Sequence, residues 1–319
     1  MILISGEALV DLIPDRARQN AYDAVLGGSP YNVAIGLARL GAPTAFVSRL
    51  STDANGESFA AELAKSDVDL SFIARVAEPT TLAFVMRGTA ATGARYSFYL
   101  DATSFDGPWP FPKEWPAEAR HLHVGSISAL DQRHGESVLA ALALARRRAT
   151  TSFDPNIRPL VTPDRVGVSK LVERQLALAD IVKASDEDLK WLYPERDPEA
   201  TIADWARRGP RFCVVTRGAE GAVAFLGNQR LEAHAPKIEV VDTVGAGDSF
   251  MSALIGAMDA DGGLGRGGAP ADASRLQSWL GFAVVASAIT CTRKGSDPPT
   301  RAEVEAMVSR TGAASIGAP

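Results

Sequence analysis

The sequence predicts an α/β fold in which helices cover both faces of a mostly parallel central sheet, together with a small antiparallel β lid. Short strand-like runs alternate with helix-like stretches along most of the chain, and this alternation is typical of three-layer α/β/α domains. Two segments break the alternation. The length of 319 residues is sufficient for one large domain or two ordinary ones.

Central strands are predicted from apolar runs, in chain order MILISG, AFVSRL, HLHVGS, TTSFD, DIVKAS, RFCVVT and AVAFL. Helices are predicted where apolar residues recur at three- and four-residue spacing, as in YNVAIGLARLG, GESFAAELAKS, GESVLAALALARRR and SFMSALIGAMDA. IEVVD alternates like a further short strand before the last of these helices. Because parallel sheets bind ligands beyond the carboxyl ends of their strands, we expect the functional site at that edge.

The lid is predicted from the two irregular segments, residues 9–28 and 81–105. The first is poor in helical pattern, and TLAFVMRGTAATGARYSFYL in the second reads as two strands around a glycine-containing turn. A small sheet of this kind has open edges and an apolar face, which favours a homodimer through two lids. No Pro/Gly linker divides the chain, so we expect one domain over residues 1–311 and a flexible tail over 312–319.

Composition excludes several classes of function. The formal net charge of -5 and a pI of about 5.5 disfavour a nucleic-acid-binding or anionic-membrane surface. Cys213 and Cys291 each lie in an apolar run, which predicts free thiols in a reducing compartment. The amino terminus has no basic stretch typical of a signal peptide, and no apolar run is long enough to span a bilayer. We therefore expect a cytoplasmic protein.

Several catalytic motifs are missing from the sequence. The GxxxxGK[ST] pattern of P-loop enzymes is absent, and GAGDSF lacks the third glycine of a dinucleotide fingerprint. His121 and His123 in HLHVGS are interpreted as strand residues rather than metal ligands, because no thiol or third histidine is near them in the sequence. Hydrolase and metalloenzyme functions therefore have little support.

The stretch DTVGAGDSF, residues 242–250, carries two glycines and two aspartates at the predicted start of a helix. The first backbone N–H groups of a helix lack partners and its dipole is positive there, so the GAG turn predicts a cradle for an anion such as a phosphate. Taken alone, Asp248 is equally well explained as a first-turn acid that stabilises the helix, with the glycines as turn formers.

Several stretches together resemble the ribokinase-like (PfkB) carbohydrate kinases in order and spacing. They are GGSPYNVAIGLARLG at 27–41, DPNIRP at 154–159, KASDEDL at 183–189, VTRGAEGA at 215–222, DTVGAGDSF, and CTRKGS at 291–296. The resemblance covers about residues 1–300, and DTxGAGD with the early GG…N motif is its most specific part. It implies a ribokinase-like fold and an ATP-dependent sugar kinase.

The resemblance assigns residues to the reaction. It implies that Asp248 is the catalytic base and that Gly245, Ala246 and Gly247 form the anion hole. Phosphoryl transfer depends mainly on positioning and electrostatic stabilisation, which backbone N–H donors at a helix start supply. The implied sugar contacts are Asp11, Gly27, Gly28, Asn32 and Arg158, and Phe98 is expected either to stack on the sugar or to pack the lid.

For ATP, the matching positions are Lys183, Ser185, Thr216, Arg217, Gly218, Gly221 and Gly295. Much of the family carries NxxE where this chain has SDED, so Asp188 stands in for a longer acid and is expected to orient Mg²⁺ through water. Asp242 and Val244 match backbone positions of a monovalent-cation site, which raises K⁺ as a further cofactor.

The expected sugar is fructose, phosphorylated on its 6-hydroxyl, because GEALVDLIP, GGSPYNVA and YSFYL most resemble bacterial fructokinases. The 2-keto-3-deoxygluconate kinases tend to carry an arginine where this chain has Asp101, and an acid there would repel a carboxylate substrate. Ribokinases tend to carry a glutamate where this chain has Gly125, which predicts room for a larger sugar. The alternatives are a 2-keto-3-deoxygluconate kinase, another PfkB sugar kinase, or a non-catalytic protein that senses sugar or nucleotide.

Overall fold

The computed structural model describes residues 1–15, 17–18, 20–86, 95–268 and 271–311. The strands are β1 (Ile2–Ser5), β2 (Leu9–Pro14), β3 (Tyr22–Gly27), β4 (Thr44–Ser51), β5 (Ile73–Val76), β6 (Leu82–Met86), β7 (Arg95–Tyr99), β8 (His121–Gly125), β9 (Thr150–Asp154), β10 (Ile181–Ser185), β11 (Phe212–Thr216), β12 (Ala222–Leu226) and β13 (Gln229–Ala233). The helices are α1 (Ser29–Arg39), α2 (Ala54–Lys65), α3 (Ser126–Leu130), α4 (Gly135–Ala145), α5 (Arg165–Leu176), α6 (Asp186–Leu192), α7 (Pro198–Ala206), α8 (Ala246–Ala260), α9 (Ala273–Cys291) and α10 (Arg301–Thr311).

In the described part of the chain, the large sheet has nine strands in the order β13-β12-β11-β10-β9-β8-β1-β4-β5. Every pairing from β11 to β5 is parallel, and β12 and β13 add an antiparallel hairpin at one edge. Strands β1, β4, β8 and β9 are buried along their whole length. Burial on both faces is typical of the central strands of a parallel sheet, although β4, β8 and β9 include polar residues.

Helices pack on both faces of this sheet, as the alternating pattern predicts. Along β1, Ile2 and Ile4 face a core formed with α1, α2, α8 and α9. Leu3, between them, faces a second core formed with α3 to α7. Successive side chains of a strand point to opposite faces, so one strand contributes to both cores. The result is the three-layer α/β/α arrangement.

The lid is a separate four-stranded sheet in the order β3-β2-β6-β7. It is antiparallel at the β2–β3 and β6–β7 pairings and parallel at β2–β6. The register places Asp11 beside Ala83, and Ala83 beside Phe98. Two residues that the sequence assigns to the sugar therefore share one face of the lid, although they are far apart in the chain.

One predicted strand is absent. IEVVD, residues 238–242, is irregular, and Val240 and Val241 are 58% and 62% exposed. The N–H groups of Val241 and Asp242 donate to the carbonyl of Cys291 at the end of α9 instead of to a neighbouring strand. The prediction of a strand was wrong because period-two alternation does not supply the pairing partner that a strand requires.

His121 and His123 lie on β8 as interpreted from the sequence, and both are buried. The ring of His121 contacts the hydroxyls of Thr150 and Ser152 at 2.8 and 2.7 Å, and His123 contacts Ser152 at 2.9 Å. Burial lowers the pKa of both imidazoles, that of His123 to about 3. These neutral rings are satisfied within the sheet, which accounts for them without a metal.

Both cysteines are free thiols, as expected from their apolar surroundings. Within the described residues, no helix is both long and apolar enough to cross a membrane. The predicted flexible tail, 312–319, lies outside the described residues, as do residues 87–94, which contain the turn predicted from the sequence.

Asp53 links helix α2 to the base of the lid. Its carboxylate accepts hydrogen bonds from the backbone N–H of Gly56 at 2.8 Å and from the N–H and hydroxyl of Thr80 at 2.8 and 2.6 Å. Partial burial opposes ionisation, but these hydrogen bonds outweigh it and lower the pKa of Asp53 to about 2. One side chain thus caps a helix and holds the strand that enters the lid.

We predict that Asp53→Ala lowers the free energy of unfolding by about 2 kcal/mol, because a helix cap and the bonds to Thr80 are lost together. Asp197→Ala is the matched control, since Asp197 caps α7 through Ala200 alone, and it should cost about 1 kcal/mol. Because the pKa of Asp53 is lower folded than unfolded, the difference between wild type and Asp53→Ala shrinks as pH falls from 4 toward 2. Urea titrations at several pH values measure it, and equal losses in both variants would contradict the link to the lid.

Candidate active site

Helix α8 begins where the GAG turn meets the central sheet. Gly245 caps this helix with φ of 76°, and a Cβ there would lie 2.1 Å from Oγ of Ser296. Glycine is therefore required both by the backbone conformation and by the close approach of residues 295–296. The turn leaves the first N–H groups of the 15-residue helix directed beyond its start, as an anion cradle requires.

Asp248 lies in the first turn of α8 and is only 8% exposed. One carboxylate oxygen accepts a hydrogen bond from the hydroxyl of Ser29 at 2.6 Å, and the other accepts one from the amide of Asn32 at 2.8 Å. Ser29 and Asn32 both belong to the first turns of α1. The two helices thus meet at their amino-terminal ends around one carboxylate, and the side chain of Asp248 is held in a single orientation.

Lys183, which the resemblance assigns to ATP, is buried. It lies on β10 with a side chain 4% exposed, and its ammonium donates to Asp154 at 2.8 Å. Burial alone lowers the pKa of Lys183, but the carboxylates of Asp154, Asp188 and Asp248 raise it above its usual value. Burial raises the pKa of Asp154 to about 6, although the positive charge of Lys183 acts to lower it. The structure therefore places an ammonium and three carboxylates together below the GAG turn.

The predicted sugar contacts Asp11, Gly27 and Arg158 are brought together. A Cβ on Gly27 would lie 2.6 Å from Oδ2 of Asp11, so only glycine leaves room for this carboxylate. Burial raises the pKa of Asp11 to about 6, and the nearby charge of Arg158 opposes that shift. No described residue forms a hydrogen bond with the Asp11 carboxylate. A half-buried acid of this kind is suited to accept hydrogen bonds from hydroxyl groups.

Gly28 closes the connection between the lid and α1. It has φ of 110°, and a Cβ there would lie 2.5 Å from the carbonyl oxygen of Glu7. Phe98 is half-buried and packs against the core cluster that includes Leu9 and Ala83. The structure thus gives Phe98 a packing role while leaving part of its ring on the face that carries Asp11.

Ser185 and Asp188 form the capping box of α6. The hydroxyl and N–H of Ser185 donate to Oδ2 of Asp188, and Oδ1 accepts from the N–H of Ile157 at 2.7 Å. These contacts fix both side chains to the backbone rather than to a ligand. A lone pair remains on Oδ1, so the acid can still accept one further hydrogen bond.

Thr216, Arg217, Gly218 and Gly221 lie together after β11, where β10 and β11 end side by side. Gly221 has φ of 97°, and a Cβ there would lie 2.1 Å from the carbonyl oxygen of Ala233. The guanidinium of Arg217 contacts Glu232 and lies 3.7 Å from Glu199. Arg217 is thus anchored in an acidic cluster beside the predicted nucleotide edge.

Asp242 joins the loop before α8 to the loop after α9. Its carboxylate accepts from the N–H of Val244 at 3.1 Å and from the N–H of Gly295 at 2.9 Å. Each carboxylate oxygen accepts one hydrogen bond and keeps a second lone pair. A monovalent-cation site at the backbone of Asp242 and Val244 stays a prediction.

The donor set can be tested for magnesium. In the part of the chain that the structure describes, no group of three or more His, Cys, Asp or Glu is placed to hold a metal ion. Mg²⁺ usually keeps several waters and uses one or two carboxylates together with substrate phosphates. Asp188, with one lone pair unused, fits such a water-mediated contact and does not fit a closed protein cage.

Two arguments about the sugar lose their physical basis. The side chain of Asp101 is 94% exposed and pairs with Arg133 at 2.8 Å, so its charge is largely compensated and screened. Gly125 is required by packing, because a Cβ there would lie 2.4 Å from the carbonyl oxygen of Asp154. Neither residue therefore indicates which charge or size of sugar the site accepts.

Sequence reasoning missed two residues of the site, Ser29 and Asp154, and a buried acid near Gly28. Ser29 lies within GGSPYN, but its contact with Asp248 spans 219 positions in the chain. Asp154 opens DPNIRP and pairs with Lys183. The buried acid is Glu7, which is 2% exposed and accepts from the N–H of Ser128 at 3.0 Å. The available signal was an acid at the end of a predicted central strand for Asp154, and just after one for Glu7.

Comparison with known proteins adds to this geometry. Residues 1–303 match the model of the pfkB family of carbohydrate kinases. A fructokinase of Rhizobium leguminosarum bv. trifolii is 36% identical over 266 residues, which are 82% of this chain and 80% of that protein. The crystal structure of a Xylella fastidiosa fructokinase with bound ATP superposes with a TM-score of 0.84 at 26% identity, covering 98% of both chains.

A further solved structure contains a sugar and a nucleotide together. A double mutant of the Vibrio cholerae O395 fructokinase, with fructose, ADP and potassium ion bound, superposes with a TM-score of 0.80 at 27% identity. The match covers 96% of this chain and 97% of that one.

Proposed function

The chain belongs to the pfkB family of carbohydrate kinases, and from this premise we propose that it phosphorylates the 6-hydroxyl of D-fructose with ATP. That it is an ATP-dependent sugar kinase of ribokinase-like fold follows from the family match and from relatives over nearly the whole chain. One observation carries the proposed chemistry: Asp248 is held by Ser29 and Asn32 at the start of a helix, where no described residue accepts a hydrogen bond from the N–H groups of Gly247 and Asp248.

The proposed step is a direct in-line transfer. Asp248 accepts the proton of the sugar hydroxyl while that oxygen forms a bond to the γ-phosphorus of ATP. The bond from phosphorus to the β,γ-bridging oxygen breaks, and ADP leaves with the electron pair. Gly245, Ala246 and Gly247 donate backbone hydrogen bonds to the charge on the transferred group. Because Ser29 and Asn32 fix the carboxylate, no reorientation is needed during the reaction.

Fructose is favoured as the substrate by the relatives rather than by one residue of the pocket. The R. leguminosarum relative is named a fructokinase, and the V. cholerae structure contains fructose. Asp11, Gly27, Gly28, Asn32 and Arg158 are the proposed contacts with the hydroxyl groups of the sugar. Phe98 is the proposed apolar contact from the lid, and closing the lid would exclude water.

The proposed nucleotide contacts are Ser185, Thr216, Arg217, Gly218, Gly221 and Gly295, along the edge where β10 and β11 end. When bound, Mg²⁺ would neutralise phosphate charge, and Asp188 would orient it through water. The backbone carbonyls at Asp242 and Val244 are the proposed site for K⁺. Free Cys213 and Cys291 agree with a cytoplasmic location, which we include in the proposal.

We also propose a homodimer through the lid. On the lid face opposite Asp11, the ring of Phe84 lies 5.5 Å from those of Tyr22 and Tyr99. Tyr22, Tyr99 and Met86 are 47%, 57% and 41% exposed. A continuous aromatic row is unusual on the surface of a monomer, and a second lid would cover it.

The substrate is tested with purified protein, ATP, Mg²⁺ and K⁺ in an assay for ADP release. The candidate substrates are fructose, 2-keto-3-deoxygluconate, ribose and the nucleoside adenosine. They are compared by kcat/KM, and we expect the highest value for fructose. Preference for the keto acid would replace fructose by the rival substrate. Binding of sugar without any ADP release would favour a sensing protein.

Asp248→Ala is expected to lower kcat by about 10²- to 10⁴-fold, the usual contribution of a general base, with nearly unchanged sugar affinity. Glu57→Ala, at a first-turn acid of α2 that pairs with Arg75 away from the site, is the control and should retain wild-type turnover. Wild-type turnover in Asp248→Ala would exclude Asp248 as the base.

The KM for the sugar is expected to rise about tenfold as pH falls from 7 to 5. The reason is that Asp11, whose pKa burial raises to about 6, becomes protonated in this window and loses acceptor capacity. Asp11→Asn should show a raised KM that is independent of pH. A wild-type KM that stays flat between pH 7 and 5 would exclude Asp11 as an ionised sugar contact.

Tyr99→Asp is expected to convert the dimer into a monomer, because it places a charge in the apolar lid face. Light scattering after gel filtration measures the mass at micromolar concentration. Leu160→Asp is the control, since Leu160 is 64% exposed but lies outside the lid. A monomeric wild type would overturn the proposed dimer.

A further inference from the structure

We propose that Lys183 acts as a catalytic residue that donates hydrogen bonds to the transferred phosphoryl group from beside the anion hole, with Asp154 as its positioning residue. The inference rests on the phosphoryl-transfer part of the proposed function and is independent of the identity of the sugar. It assigns Lys183 to the reacting group rather than to the nucleoside part of ATP.

The first observation is the contact with the GAG turn. A Cβ on Gly247 would lie 3.2 Å from Nζ of Lys183, so the ammonium packs directly against the Cα of this glycine. Gly247 is the second residue of α8, where the N–H groups have no partner within the helix. The positive charge of Lys183 therefore adds to the helix dipole at the point where an anion is expected.

The second observation concerns the donors of the ammonium. Lys183 has three N–H donors, and one of them donates to Asp154 at 2.8 Å. No other described residue accepts a hydrogen bond from Nζ. A side chain only 4% exposed obtains little compensation from solvent. Two donors of a buried cation are thus available beside the anion hole, where oxygens of a phosphoryl group can accept them.

The third observation concerns the balance of charge. The carboxylates of Asp154, Asp188 and Asp248 all act on Lys183. Without the ammonium, three acids would repel an arriving phosphate. The 2.8 Å ion pair with Asp154 holds the ammonium of Lys183, whereas the carboxylate of Asp248 is held by Ser29 and Asn32. The ammonium and the proposed base thus have separate partners.

The test compares binding of ADP with binding of ADP–aluminium fluoride, a mimic of the transferred group, in the presence of Mg²⁺ and sugar. The main variant is the double substitution Lys183→Met with Asp154→Asn, which avoids leaving one buried charge unpaired. We expect affinity for the mimic and kcat to fall about 10²-fold, as on loss of one transition-state donor. Affinities for ADP alone and for the sugar should stay within about twofold of wild type.

Lys183→Gln is the second variant, because it keeps a donor for Asp154 and loses only the charge; the same selective loss is expected. Asp154→Asn alone should also weaken binding of the mimic more than binding of ADP. Lys190→Met is the matched control, since Lys190 pairs with Asp186 on the surface and is 59% exposed. Circular dichroism and thermal unfolding show whether each variant is folded.

Unchanged affinity for the mimic in folded Lys183 variants would overturn the inference, and so would an equal loss of ADP affinity, which indicates a nucleotide contact instead. A wild type that binds the mimic no more tightly than ADP would also overturn it. Failure of the fructose assay alone affects only the choice of sugar, because the comparison of variants uses any sugar that supports binding of the mimic.

Discussion

The active site depends on one contact between two helices. Asp248 at the start of α8 accepts hydrogen bonds from Ser29 and Asn32 at the start of α1. The amino-terminal ends of the two helices both carry partial positive charge and repel each other. A carboxylate shared between them offsets this repulsion. The same contact fixes the direction of the Asp248 carboxylate, the proposed base, relative to the GAG turn. The proposed catalytic geometry and the local packing therefore have the same origin.

Buried charge is the second constraint. Lys183, Asp154, Asp188 and Asp248 lie close together with little exposure to solvent. Such groups are unfavourable in isolation and require mutual compensation. The structure provides it through the ion pair on β9 and β10 and through the capping box of α6. Lys183 partly neutralises the charge of Asp154, and backbone N–H groups donate hydrogen bonds to Asp188. These two acids therefore repel an arriving phosphate less strongly.

The lid adds a third element, because it couples distant parts of the chain. Asp53 holds Thr80 at the base of β6, and the β2–β6–β7 register aligns Asp11 with Phe98. Gly27 and Gly28 connect this sheet directly to α1 and thus to Asn32. A movement of the lid therefore changes the surroundings of the proposed sugar contacts while α1 keeps Asp248 in place.

The alternation of strands and helices, the separate lid and the glycine turn before α8 could all be predicted from the amino-acid sequence. These features are local, because they depend on the periodicity of apolar residues and on the positions of glycines within short contiguous stretches. The sequence also indicated Asp248, Asn32 and Asp11 through motifs. The prediction of a strand over IEVVD was wrong, because a strand requires a neighbouring strand to pair with and the alternating pattern does not specify one.

Which charged and polar side chains pair with each other became evident only from the folded chain. It joined Ser29 to Asp248 and Asp154 to Lys183, and it showed that Asp101 is an exposed partner of Arg133. Such pairings depend on how the helices and strands are packed, not on spacing along the chain. Burial, which sets the pKa values of Asp11 and Asp154 near 6, likewise exists only once the fold has formed.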